Sequence, residues 1–370
     1  GKLLLVLNVG GVVDLSPVLQ VENILLLSQT GMALGDALAD VVLGKAYPSG
    51  KLASTWAKWE DYCQVGDFAQ PDDTHYTEGV YVGYRYFDSV GKEPLFPFGY
   101  GLGYTTFSLG QPQAAVEGTQ VTVRVPVKNT GAAPGKEVVQ VYCEAPQGKL
   151  GKPARTLCAF GKTSLLAPGE RETLTLTAAF GAFSSYDDSG VTGHKSCWIL
   201  EAGTYRFYLG TDVRSAACVL ETSLPELVLE QLEEAMAPVV PFERLRPGEA
   251  TASGTYLPCK EEVPLRTVNP QERRKERLPE ELPYTGDKGW KLGDVADGKV
   301  TLEEFVGQLS DEELCCIVRG EGMCSPKVTP GTAGAFGGVT DALLSYGIPV
   351  GCCADGPSGI RMDCGTRATS

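Results

Sequence analysis

The sequence predicts a multidomain protein in which α/β architecture is joined to an all-β module. Three observations carry that prediction. Near the N-terminus, nearly continuous aliphatic runs alternate with helical periodicity, the pattern of a parallel sheet covered by helices. From 110 to 222, short alternating strands recur with turn signals between them, as in a β-sandwich of immunoglobulin-like or fibronectin type III-like architecture. Beyond 300, capped helical patterns return and an apolar run ends in a carboxylate, Asp355, followed at once by Gly356 and Pro357.

Lys2 to Val9 (KLLLVLNV) reads as a strand buried on both faces, and Asn23 to Ser28 (NILLLS) as a second one. Between them, Asp14 to Gln20 has room for a short helix. Met32 to Leu43 is expected to be a longer amphipathic helix, because Leu34, Leu38, Val41 and Val42 fall at three-and-four spacing, and Gly44 ends it. After the Pro48-Ser49-Gly50 turn the periodicity fades. From Glu78 to Phe107 the chain is dense in glycine and aromatic residues (EGVYVGYRYFD, then FPFGYGLGYTTF), expected to be packing at a domain junction rather than a sugar-stacking surface.

Within the β-module, Val121 to Val127, Glu137 to Tyr142, Thr173 to Thr177 and Thr204 to Leu209 read as strands, with turns at Asn129-Thr130-Gly131 and Ala167-Pro168-Gly169-Glu170. Its polar residues read as one solvated face of each strand, so no ligand site is expected there. Leu224 to Met236 is expected to form an amphipathic helix. Pro238 to about Pro283 is rich in proline and charge, without a sustained apolar period, and is expected to be a linker or an extended strap.

Leu292 to Glu304 (LGDVADGKVTLEE) has the outline of a calcium-binding loop. Gly293 and Val295 occupy the positions where the first and third oxygen ligands are required, so calcium is rejected. Instead Thr301 should cap a helix with Glu303 and Glu304 in its first turn, and Ser310-Asp311-Glu312-Glu313 should open another with a capping box.

Composition narrows the function. At 370 residues the chain can hold two or three cores. Its net charge of −14 repels nucleic acid and anionic membranes, leaving a neutral small molecule as the expected ligand. No apolar run nears the roughly 20 residues needed to cross a bilayer, which points to a soluble protein. Only His75 and His194 are present as histidines. The twelve cysteines show no Cys-x-x-Cys spacing, which excludes a zinc site of that kind and fits small core residues in a reducing compartment. A cytoplasmic location is favoured on that ground, and no cofactor or metal is expected. The chain starts at Gly1 inside a strand-like run and stops at Ser370 soon after Asp355, so it is expected to be a fragment lacking both ends.

With these pieces placed, the sequence resembles glycoside hydrolase family 3, the group that includes many bacterial β-glucosidases. Residues 23–52, with Gly31, Gly35, Ala39-Asp40-Val41 and Pro48-Ser49-Gly50-Lys51-Leu52, look like the end of that family's α/β sandwich domain. VGYRYFD and FPFGYGLGYTTF look like the passage into its fibronectin-like domain. Leu309-Ser310-Asp311-Glu312-Glu313-Leu314, Gly347-Ile348-Pro349 and Ala354-Asp355-Gly356-Pro357-Ser358-Gly359-Ile360-Arg361 look like the opening of its TIM-like barrel. The order is that of inverted β-glucosidases, in which the α/β and fibronectin-like parts precede the barrel.

The resemblance implies a partial α/β sandwich at 1–109, a fibronectin type III-like domain at 110–222, a linker at 223–299 and the start of the (β/α) barrel at 300–370. It implies a retaining enzyme with two carboxylates roughly 5–5.5 Å apart, with the nucleophilic Asp and the acid/base Glu both outside this chain, so the chain alone should be inactive. It implies that Asp355 accepts hydrogen bonds from sugar hydroxyls and that Arg361 braces the loop beside it. The expected substrate is a terminal β-D-glucoside of an oligosaccharide, with β-xylosides as the competing class, and a homodimer is among the expected partners. Gln29-Thr30-Gly31-Met32-Ala33 departs from the glycine-rich turn usual in the family, which removes the expectation of a sugar contact there. The rival class is a non-catalytic module that binds carbohydrate or protein.

Overall fold

In the computed structural model the described residues are 3–62, 70–323, 325–326 and 332–354. They form two compact units. One takes in Gly1–Gln29 and Gly35–Asn269; the other takes in Thr30–Leu34 and Pro270–Ser370.

The first unit opens with β1 (Leu4–Leu7) and β2 (Asn23–Leu26), paired in parallel register from Leu4 against Asn23 to Leu7 against Leu26. The parallel pairing is as expected. The burial is not: both strands are half-exposed, with Leu4 42% accessible, because this sheet has only two strands among the described residues. A single 3-10 turn, Ser16–Val18, occupies the link between them. Helix α1 (Leu34–Val42) follows, and Leu34, Leu38 and Val41 form its half-buried stripe while Val42 is exposed. Helix α2 (Tyr84–Val90) lies inside the glycine and aromatic stretch and buries Phe87.

The β-module is a sandwich. One sheet has β5 (Gln120–Asn129) at its centre, flanked by β3 (Phe107–Leu109) and β4 (Gln113–Glu117) along one edge and by β8 (Arg171–Ala179) along the other. The other sheet includes β6 (Val138–Glu144) and β7 (Thr156–Lys162). It is completed by β11 (Gly203–Gly210) and β12 (Ala217–Leu224), in the order β12-β11-β6-β7. The period of two explains the core: Val121, Val123, Val125 and Val127 of β5 all point inward, against Val139, Val141, Tyr205 and Phe207.

Asn129, at the end of β5, is fully buried and bonded at every polar position. Its amide donates to the carbonyls of Ala133 and Leu166 at 2.8 Å each, and its oxygen accepts from Thr105 Oγ1 at 2.8 Å and from the Gly131 N–H at 3.0 Å. A buried ion pair, Lys152 Nζ with Glu201, ties the loop after β6 to the start of β11. Glu201 also accepts the Lys149 N–H at 2.7 Å.

A third sheet corrects one expectation. β13 (Leu227–Gln231), β10 (Cys197–Leu200) and β9 (Ser185–Asp187) lie side by side, so the stretch 224–236, expected as an amphipathic helix, has a strand at its centre and no helix. The open edge of β10 offers Leu227 to Gln231 a ladder of hydrogen bonds, which decides the segment for strand. The stretch expected as linker or strap contains a two-stranded ribbon, β14 (Glu243–Ala250) with β15 (Tyr256–Glu262). Such a ribbon has a free edge on each strand, so Pro247 and Pro258 are tolerated opposite one another. Opposite charges face across it, Glu243 to Lys260 and Arg244 to Glu261, which is why the segment is charged and yet ordered.

The second unit contains α3 (Pro270–Glu276), α4 (Leu292–Ala296), α5 (Leu302–Gly307), α6 (Asp311–Arg319) and α7 (Asp341–Ser345), with strands β16 (Glu321–Gly322), β17 (Gly334–Gly337) and β18 (Val350–Cys353). The Thr301 cap and the Ser310 capping box form as read, and the Thr301 cap proves to be a capping box too. Thr301 Oγ1 accepts from the Glu304 N–H at 3.1 Å while Glu304 accepts from the Thr301 N–H at 2.9 Å, and Ser310 and Glu313 repeat the exchange. The rejected calcium loop is helix α4 and its cap, with Asp294 and Asp297 both paired to Lys299 at 2.9 and 3.0 Å. The strands pair antiparallel in the order β16-β17-β18, and no barrel closes among the described residues.

Candidate functional site

Asp355 and Arg361, the two residues singled out from the sequence, lie outside the described residues. The strand that leads to Asp355 is described. Val350 of β18 packs beside the core of Ala335, Val339 and Leu343, and the register sets Cys352 against Ala335 and Cys353 against Gly334. Two glycines allow this sheet to form. A Cβ at 351 would come within 2.6 Å of the Phe336 ring, and one at 338 within 2.0 Å of the Ile348 carbonyl. Local sequence therefore builds a short, tightly packed strand whose last described residue is Ala354, one position before the carboxylate.

In the first unit the aromatic and glycine stretch packs as expected. Trp56 and Phe96 exchange backbone hydrogen bonds at 2.9 Å, and Leu52 does the same with Tyr100 and Gly99. A Cβ at Gly103 would fall 1.9 Å from the Tyr47 hydroxyl, and one at Gly99 2.2 Å from the Gln140 amide oxygen. The glycines of FGYGLGY are thus where the backbone meets the Pro48-Ser49-Gly50 turn and the β-sandwich. Lys51 fastens the same place, reaching the Gly101 carbonyl and Glu137, both at 2.9 Å. Tyr84 of α2 stacks on Phe98 with ring centres 4.6 Å apart and accepts the Leu157 N–H at 2.8 Å.

Also on α2, Asp88 is a buried carboxylate whose Oδ1 meets Arg214 Nε at 2.7 Å and whose Oδ2 has no hydrogen-bond partner. Burial raises its pKa to about 6, against the pull of Arg214 and Arg155.

Sequence reading missed a cleft of about 630 Å³ within this unit. The β14–β15 ribbon, α2 and its preceding loop, and the β9–β10 region of the sandwich together line it. Asp187, buried at the end of β9, holds the loop beyond it by accepting from the N–H groups of Ser189, Gly190 and Thr192 and from two hydroxyls. Its neighbour Asp188 is thereby presented to Arg244, which bonds it at 2.5 and 3.0 Å and takes Glu261 at 2.8 Å on its other side. The aromatic part of the lining includes Tyr186 and Trp198, whose rings lie 5.4 Å apart. The only hint in the sequence was the density of aromatic and charged residues, spread over almost two hundred positions. Among the described residues no group of three histidines, cysteines or carboxylates could hold a metal ion.

The model described as the glycosyl hydrolase family 3 C-terminal domain matches residues 1–104, and the fibronectin type III-like domain model matches residues 137–213. A β-glucosidase of Ruminococcus albus is 50% identical over 375 residues, taking in 100% of this chain and 39% of that protein. Beta-glucosidase A of Butyrivibrio fibrisolvens is 38% identical over 410 residues, taking in 98% of this chain and 47% of that protein. Among solved structures, a β-glucosidase from Paenibacillus barengoltzii superposes with a TM-score of 0.91 at 52% identity, over 97% of this chain and 41% of that one. The chain thus spans about two fifths of the length of the Ruminococcus and Paenibacillus relatives.

Proposed function

The chain belongs to glycoside hydrolase family 3, and on that premise we propose that it is part of a β-glucosidase of inverted domain order, hydrolysing terminal β-D-glucosides of oligosaccharides with retention. One observation carries the reading. The Ruminococcus β-glucosidase aligns with all of this chain in a single match at 50% identity, so the α/β, fibronectin-like and C-terminal segments occur there in the same order. In this proposal residues 1–109 belong to the α/β sandwich, 110–222 are the fibronectin-like domain, 223–299 connect, and 300–370 open the catalytic barrel.

Asp355 is proposed to hold the sugar through hydrogen bonds from its hydroxyls, a task that suits a carboxylate. Arg361 is proposed to brace its loop. Neither the nucleophile nor the acid/base is assigned to a residue of this chain, so the 370 residues alone should not turn over a glucoside. The described cysteines for which pairing can be read are free thiols, which favours a reducing compartment such as the cytoplasm.

The test is a chimera in which this chain replaces the aligned stretch of the Ruminococcus enzyme. A folded chimera that cleaves nitrophenyl β-D-glucoside, while the 370-residue chain does not, supports the proposal. A folded chimera without glucosidase activity rejects it.

A further inference from the structure

The 630 Å³ cleft in the first unit has a chemistry that its internal bonds do not use up. Arg244 is committed to Asp188 and Glu261, and Arg246 to Glu261 and the Lys149 carbonyl. Those carboxylates are therefore neutralised where they stand. Arg85, half-buried on α2, lines the same cleft, and its guanidinium has no ion pair or hydrogen bond among the described residues. Among the described residues the Lys149 ammonium, also in the lining, has no carboxylate partner either.

Tyr81 also lines the cleft, with its hydroxyl buried away from solvent. Against these donors stands a plane: Trp198, 39% exposed although it sits mid-strand, backed by Tyr186. An aromatic face of that kind takes the apolar face of a sugar ring, and a free guanidinium takes a carboxylate in two parallel bonds.

From these observations we infer that the cleft is a second saccharide site, separate from Asp355, selective for an oligosaccharide that carries a carboxylate, that is, one containing a hexuronic acid. The ring packs on Trp198 and the carboxylate pairs with Arg85. Besides Glu262, the unpaired charges of the lining among the described residues are Arg85 and Lys149, so a neutral glucan gains the stacking but not the ion pair.

The experiment is isothermal titration of the purified 370-residue chain with an aldouronic tetrasaccharide and, separately, with xylotetraose and cellotetraose. The acidic sugar should bind at least tenfold more tightly than either neutral one, and its affinity should fall with added salt. Arg85→Gln should remove that preference while leaving the neutral sugars unchanged, and Trp198→Ala should weaken all three tenfold or more. Because Trp198 lies in a strand, its variant is scored only alongside Trp198→Phe, which keeps a ring and should retain most of the affinity. Equal affinity for acidic and neutral sugars, no binding of the acidic one, or acidic binding that survives Arg85→Gln would overturn the inference. None of these outcomes depends on whether the chimera described above is active.

Discussion

Replacing Asn129 by alanine should remove more stability from the β-sandwich than any exposed substitution. The side chain is fully buried and makes four hydrogen bonds, two given and two received. Truncation takes one bond from the Leu166 carbonyl, which keeps the one from the Gly135 N–H at 3.1 Å, and one each from the Ala133 carbonyl, the Gly131 N–H and the Thr105 hydroxyl. At about 1 kcal/mol for each of the four bonds, the loss is about 3–5 kcal/mol. By the size scaling of unfolding entropy, that corresponds to a fall of at least about 10 °C in the midpoint of the sandwich transition, read by calorimetry. Asn129→Asp separates bonding from volume. It keeps the acceptors but sets a carboxylate against two carbonyls, so its pKa is raised in the folded state and stability returns as pH falls and the group is protonated. Lys128→Ala, on the exposed side of the same strand, should shift ΔG by less than about 0.5 kcal/mol. An Asn129→Ala loss below about 1 kcal/mol, or an Asn129→Asp variant indifferent to pH, would refute the reasoning.

Three further outcomes follow from the same structure. Breaking the Lys152–Glu201 pair with Lys152→Met should cost about 3–5 kcal/mol in urea unfolding, and adding Glu201→Gln should recover part of it, because the single change leaves a buried charge unpaired. Asp88 has a folded pKa of about 6 against 3.8, so stability is highest below about pH 4 as far as this group is concerned and is lost as pH rises through 6. The size of that loss is up to about 3 kcal/mol, and Asp88→Asn should flatten the stability profile between pH 4 and 6; an unchanged profile would contradict it. Gly103→Ala places a methyl group on the Tyr47 hydroxyl and should destabilise by about 1–3 kcal/mol, with Tyr47→Phe in the same chain recovering part of the loss.

What could be read from the sequence was what short-range physics determines. The cap at Thr301 and the capping box at Ser310 need only residues three positions apart, and the half-buried stripe Leu34, Leu38 and Val41 needs only a helical period. The valines of β5 declare their face by alternation alone. Leu227 to Gln231 went wrong because its state is decided by the free edge of β10, thirty residues earlier in the chain. The ribbon at 243–262 was hidden because its stability comes from charges facing across two strands rather than from an apolar period. The cysteines, read as core residues, divide among those described: Cys143 and Cys197 are buried, whereas Cys218, Cys259, Cys315, Cys352 and Cys353 are exposed. Being apolar and small permits burial without enforcing it. The cleft was invisible for a further reason, since Tyr81, Trp198 and Arg244 come from three distant parts of the chain and only the fold brings them to one surface.

The central claim, that this chain brings the sugar-holding carboxylate of a β-glucosidase, meets its most direct test in steady-state kinetics of the Ruminococcus chimera carrying Asp355→Ala. Loss of charge-assisted bonds to two hydroxyls should lower kcat/KM for nitrophenyl β-D-glucoside by about a thousandfold or more, from about 4 kcal/mol of lost binding, with the melting temperature unchanged. A folded Asp355→Ala chimera within tenfold of its parent would contradict the account.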